Sequence, residues 1–156
     1  MAYNGIDLIE KCVKIEQQKK MILDNILDDI RDMRLKIIIK VLIKDINRTI
    51  GYYKSVEKNL NDIELDEIDF KTYDRISFLI NGYSERIDIL YLTNLSVREY
   101  INTYLQLIKD KSSLFIDLQG RLYNNTNNNS TRTYEILALL IDYTQSRTIR
   151  IEKMIK

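Results

Sequence analysis

The chain has 156 residues, 45% of them apolar and 30% charged, and its 24 Lys and Arg nearly balance 23 Asp and Glu for a formal charge of +1. That length suits one domain with its own core, and the composition is far from the disordered class. The small net charge makes nucleic acid a poor match as partner, while the absence of any His removes the commonest general base and transition-metal ligand and excludes Ser/His/Asp and Cys/His nucleophile systems.

The opening MAYNGIDLIEK lacks a basic region followed by an apolar one, so no signal peptide is expected. Leu8, Ile9, Cys12, Ile15, Ile22, Leu23, Ile26 and Ile30 then recur at three- and four-residue steps, which predicts a helix over 6–30. Asn4 suits its N-cap, with Asp7 in the first turn. Cys12 is the only cysteine and cannot close an internal disulfide. It reads as a small buried apolar residue in a cytoplasmic protein.

A second stripe (Leu35, Ile38, Ile39, Leu42, Ile46, Ile50, Tyr53, Val56, Leu60) predicts a helix over 33–60. Gly51 should weaken it by roughly 1 kcal/mol relative to Ala. The join at Arg31 and Asp32 is short enough to turn the second helix antiparallel to the first. The apolar run from Ile37 to Ile43 is broken by Lys40 and falls far short of the ~20 residues of a membrane span.

Residues 61–69 are acidic (Asp62, Glu64, Asp66, Glu67, Asp69) and read as a loop, and helical spacing resumes over 70–92 with Gly82 as a kink. Ser96 and Glu99 form a capping-box pattern that opens a helix to about Leu122. The segment NNTNNNST over 124–131 is a loop, and a last helix spans 133–155 with Leu137, Leu140, Ile141, Thr144, Thr148, Ile151 and Ile155 on one side. A β-hairpin pairing Glu135–Tyr143 with Arg147–Met154 is the competing reading; its alternation is poorer than the helical stripe. The basic group Arg147, Arg150, Lys153 and Lys156 reads as a solvated face. The triplets at Asn47 and Asn94 fit glycosylation acceptors, but in an Asn-rich chain with no signal peptide they carry no message.

The whole is an all-α domain over 1–156: a helical hairpin at 5–60, a crossover with its own helix at 61–95, and a second hairpin at 96–156. Two antiparallel hairpins joined by a long crossover is the connectivity of ferritin-like bundles.

Particular residues carry that likeness further. Leu8-Ile9-Glu10-Lys11 through Ile15-Glu16 resembles the first helix of ferritin-like and rubrerythrin-like proteins, where an inward Glu binds metal. Lys44 to Tyr53 is similar to the second helix, and Leu139 to Met154 to the fourth, the two that carry Glu-x-x-His in that family. Arg-Thr-Ile at 48–50 and again at 147–149 looks like a trace of duplication that pairs Glu16 with Ile108 and Thr49 with Thr148. The resemblance implies an antiparallel four-helix bundle, but its six ligand places hold Glu16, Ile46, Thr49, Ile108, Gln145 and Thr148. One carboxylate among these is too few for a di-metal centre. No cofactor and no metal are therefore expected.

Glu16 and Lys19 nevertheless sit on the apolar stripe of their helix, as do Thr49, Thr144 and Thr148 on theirs. One reading is a local Glu16–Lys19 pair at the core's edge, with the Thr hydroxyls bonded to carbonyls one turn back. The other is an interior polar network of Glu16, Lys19, Thr49, Thr144, Gln145 and Thr148 that fixes helix register. Elsewhere the glycines are scattered, so no phosphate loop is present. Carboxylates such as Asp28–Asp29 lack EF-hand spacing. The Tyr-rich composition, 11 Tyr against 3 Phe, reads as core-edge tyrosine, with Tyr52, Tyr53, Tyr83, Tyr91, Tyr100 and Tyr104 as candidate interface anchors.

The expected function is non-catalytic: a helical bundle acting by protein–protein interaction or self-assembly. A ferritin-like metal-binding or oxidoreductase protein with an unconventional site around Glu16 is the first alternative. The second rests on Asp74-Arg75-Ile76, Tyr83 to Ile87 and Leu95-Ser96 with Glu99, about a fifth of the chain. These are loosely similar to the helical domain of GINS replication-complex subunits and imply a scaffold in DNA replication.

Overall fold

The computed structural model describes residues 4–60, 70–90, 96–126 and 132–155. The acidic segment 61–69, residues 91–95 with Tyr91, Asn94 and Leu95, the Asn-rich residues 127–131 and Lys156 lie outside the described residues. Within them the chain forms five helices and no strand: α1 (Gly5–Asp29), α2 (Met33–Leu60), α3 (Phe70–Leu90), α4 (Val97–Thr126) and α5 (Arg132–Ile155). The hairpin alternative for the C-terminal segment gives way to α5, because its apolar residues recur with the helical period.

Side chains satisfy the amides that a helix start leaves unpaired. Asn4 Oδ1 accepts from the Ile6 amide at 2.9 Å, and Asp7 reaches back to accept from the Asn4 amide at 2.8 Å. Asp32 Oδ1 accepts from the Arg34 amide at 2.9 Å to start α2. Ser96 and Glu99 exchange the two bonds of a capping box at the head of α4. With no Pro to interrupt them, the helices run long, and α3 passes through Gly82 without a break.

α1 packs along α2 and α4 along α5; α2 also meets α4, α1 meets α5, and α3 lies against α1 and α4. The shared core includes Leu8, Ile9, Leu23, Ile39, Ile46, Ile76, Ile87, Leu107, Ile108, Phe115, Leu137 and Leu140. Each fully buried Leu or Ile contributes roughly 1.5–3 kcal/mol relative to leaving it in water. Polar clasps place α3: Tyr83 donates to the Leu107 carbonyl at 2.6 Å, Gln18 Nε2 donates to the Ser84 carbonyl at 2.9 Å, and Ser84 Oγ returns a bond to Gln18 Oε1 at 2.6 Å. Across α2 and α5 the rings of Tyr52 and Tyr143 stack 4.1 Å apart. Among the described residues no helix is long and apolar enough to cross a membrane.

Candidate functional site

Charged side chains placed on an apolar stripe must be carried inside, and here four helices each bring at least one. Glu16 and Lys19 come from α1, Asp45 from α2, Lys111 from α4 and Arg147 from α5, all buried. Each stands at a stripe position: Asp45 beside Leu42 and Ile46, Lys111 between Ile108 and Phe115, Arg147 between Thr144 and Ile151. The apolar period therefore dictates their burial.

Arg147 is the hub. Its Nη1 donates to Glu16 Oε1, its Nε to Asp45 Oδ2 at 2.7 Å, and its Nη2 to the Tyr104 hydroxyl at 2.8 Å. Tyr104 in turn donates to Asp45 Oδ2 at 2.5 Å. Arg150, half-buried on α5, closes the far side with a 2.9 Å bond to Asp45 Oδ1. The planar guanidinium makes this possible, because its N–H groups form a rigid fork that can serve two carboxylates together. Lys19 Nζ lies 2.7 Å from Glu16 Oε2 and Lys111 Nζ 3.6 Å from Oε1. Aromatic faces complete the lining: Lys111 over Tyr53 at 4.7 Å, and Lys19 and Arg147 both 5.6 Å from the Tyr104 ring.

The electrostatics follow from enclosure. Burial pushes the Glu16 carboxyl up, but Arg147, Lys111 and Lys19 outweigh it and hold the group well below the usual carboxylate range. Asp45 is lowered in the same way, burial opposing and Arg147 prevailing. Burial draws the Lys19 ammonium down to about 7, with Arg147 and Lys111 adding to that pull and Glu16 resisting it. Lys111 is also lowered by burial. Cys12, buried on α1, is pushed up to about 11 by desolvation, which suits inert packing. Burial likewise raises the Tyr53 and Tyr104 hydroxyls well above their ordinary 10.0.

The expected interior residues divide three ways. Glu16, Lys19, Thr49 and Thr144 are fully buried. The Thr hydroxyls bond one turn back as expected: Thr49 to the Asp45 carbonyl at 3.0 Å, Thr144 to Leu140 at 2.6 Å, Thr148 to Thr144 at 3.0 Å. Thr148 is only half-buried, and Gln145 is exposed; it follows Thr144 by one helical step, which turns it away from the core, so it is not part of the cluster. The Glu16–Lys19 pair lies deep inside and not at the core's edge. Arg147 leaves the solvated basic face that the sequence suggests and is 0% exposed. Asp45, Tyr104, Lys111, Arg147 and Arg150 are the cluster members that sequence reasoning missed.

The six ligand places do not fit a metal. Ile46 and Ile108 offer no donor, Thr49 and Thr148 are bonded to carbonyls, Gln145 faces out, and Glu16 already faces three cations that would repel a fourth. Among the described residues no three His, Cys, Asp or Glu side chains stand close enough together to hold a metal ion. Tyr83 and Ser84 from the replication-subunit likeness hold α3 in place. Set against protein-family models, curated proteins and solved structures, the chain finds no match in any of the three.

Proposed function

We propose that this protein is a non-catalytic helical bundle that acts by protein–protein interaction or by assembling with itself, its interior ions fixing how the helices dock. One observation carries the reading: the groups best suited to proton transfer, Glu16, Lys19 and Lys111, are 0–1% exposed and engaged with one another. General acid–base work requires a group within hydrogen-bond reach of substrate, and enclosed partners leave no such reach. A buried ionic set is weak as a source of stability but well suited to selecting one helix arrangement over others. Large apolar side chains meanwhile stand exposed on several helices, among them Ile37 and Val41 on α2, Phe70 and Phe78 on α3, Ile116 on α4, and Leu139 and Ile149 on α5.

The ferritin-like likeness belongs to this reading as ancestry. Its support is the order of helices, a hairpin before α3 and another after it, and an inward Glu16 in the middle of α1. Metal analysis of purified protein tests the non-metal part, with near-stoichiometric iron or manganese as the result that overturns it. Sedimentation from micromolar to submillimolar concentration tests self-assembly. A concentration-dependent shift that weakens on Val41→Glu is the expected result, and a strictly monomeric profile leaves a heterologous partner as the remaining form of the proposal.

A further inference from the structure

We propose that the pocket between α2 and α5 is a binding site for a small oxyanion of the phosphate type. The pocket has a volume of about 210 Å³ and is lined by Val41, Lys44, Asp45 and Arg48 of α2 and by Arg150 of α5. At about 30 Å³ per water molecule, that is room for several waters or for an anion of five heavy atoms.

The charge around it is lopsided. Lys44 and Arg48 stand one helical turn apart, where like charges repel, and both are exposed. Neither makes an ion pair or side-chain hydrogen bond among the described residues. Arg150 is a third cation, and it is held still: its Nη2 donates to Asp45 Oδ1 at 2.9 Å, and its guanidinium carbon lies 6.0 Å from the Tyr143 ring centroid. A guanidinium has five N–H donors, so that bond leaves others to offer.

Among the described residues Asp45 is the one carboxylate in the lining, and it is already engaged. Tyr104 and Arg147 bind Oδ2 from the interior side while Arg150 binds Oδ1. With Arg147 also paired to Asp45 from behind, the described lining carries an excess of positive charge from Lys44, Arg48 and Arg150. The planar fork of an anchored arginine matches paired oxygens better than a spherical halide, which selects an oxyanion over chloride. The site thus lies at the outer end of the ion cluster without depending on how the protein's wider function is read.

The test is isothermal titration of the full chain with inorganic phosphate and, separately, with a nucleoside monophosphate, against sodium chloride at matched pH and ionic strength. Saturable binding of phosphate beyond the chloride response is expected, weakening about tenfold or more in the Lys44→Gln/Arg48→Gln double variant and unchanged in Lys14→Gln, an exposed charge on α1. Binding of the nucleotide alone identifies the oxyanion as a phosphoester. As a readout free of any substitution, bound phosphate should slow phenylglyoxal modification of Arg48 in the wild-type chain. The proposal is overturned if neither anion binds beyond the chloride response, if the double variant binds like wild type, or if Lys14→Gln weakens binding equally.

Discussion

A carboxylate enclosed with three cations is stable only while it stays charged, and this sets different fates for the members of the cluster. Removing the charge of Glu16 leaves Lys19, Lys111 and Arg147 facing one another with Asp45 as the only counter-charge among the described members of the cluster. Glu16→Gln is therefore expected to cost about 3–5 kcal/mol, the range for breaking a buried ion pair by deleting one partner, measured as a lower urea midpoint. Lys19 is the opposite case, because each ammonium has three donors and, among the described residues, Glu16 is the single carboxylate within ion-pair distance of it. Lys19→Met retains Lys111 and Arg147 against Glu16 and Asp45, an even balance, and fills the space with an apolar chain of similar length. Its stability should fall within about 1 kcal/mol of wild type or exceed it. A loss from Lys19→Met as large as that from Glu16→Gln would show that Lys19 is required for the network to hold.

Two glycines test the helices from opposite sides. Gly51 lies exposed inside α2 with nothing within 4 Å of where a Cβ would stand, so Gly51→Ala should stabilise by up to about 1 kcal/mol through helix propensity alone. Gly5 begins α1, and a Cβ there would come 2.6 Å from Cδ1 of Ile136 on α5. Gly5→Ala should destabilise by about 1 kcal/mol, and Ile136→Val, which removes that methyl, should recover part of the loss; additive effects would show that the two residues do not meet. Much of this helical layout is legible in the residues. Asn4 with Asp7 and Ser96 with Glu99 mark two starts, the stripe from Leu35 to Leu60 spans α2, and no Pro obscures an end. The site is legible only by half. Glu16 and Lys19 share one helix, so their spacing places them together, and the Thr hydroxyls bond within their own turns. Arg147 lies 131 residues from Glu16, and no local pattern says which distant charge it meets. The signal available was a charged residue on an apolar stripe, which Asp45, Lys111 and Arg147 all provide. That signal reports burial and is silent on pairing.

At the scale of the whole molecule, the cluster and the enclosed hydroxyls and thiol shape how stability responds to pH. Stability rises with pH wherever the unfolded chain holds more protons than the folded one. Lys19 loses its proton near pH 7 in the folded state and near its ordinary 10.5 in the unfolded chain, and Lys111 is displaced in the same direction. Lys19 therefore makes the fold more stable as pH rises above 7, and Lys111 acts in the same sense below its ordinary 10.5. Cys12 works against them once pH passes 9.0, since the folded thiol keeps its proton up to about 11. Tyr53 and Tyr104 do the same above 10.0. On the acid side Glu16 and Asp45, both lowered, contribute stability that is lost as pH falls below their ordinary values of 4.5 and 3.8. The expected profile climbs between 7 and 9 by about 1.4 kcal/mol per pH unit at most for the Lys19 proton, levels off, and falls beyond 10. Urea unfolding at unit steps of pH reads this directly. Lys19→Met should flatten much of the climb while leaving the acid limb intact, because that limb belongs to the carboxylates. If the wild-type curve is already flat from 7 to 9, Lys19 keeps an ordinary ammonium inside the bundle and Glu16 alone must hold it there.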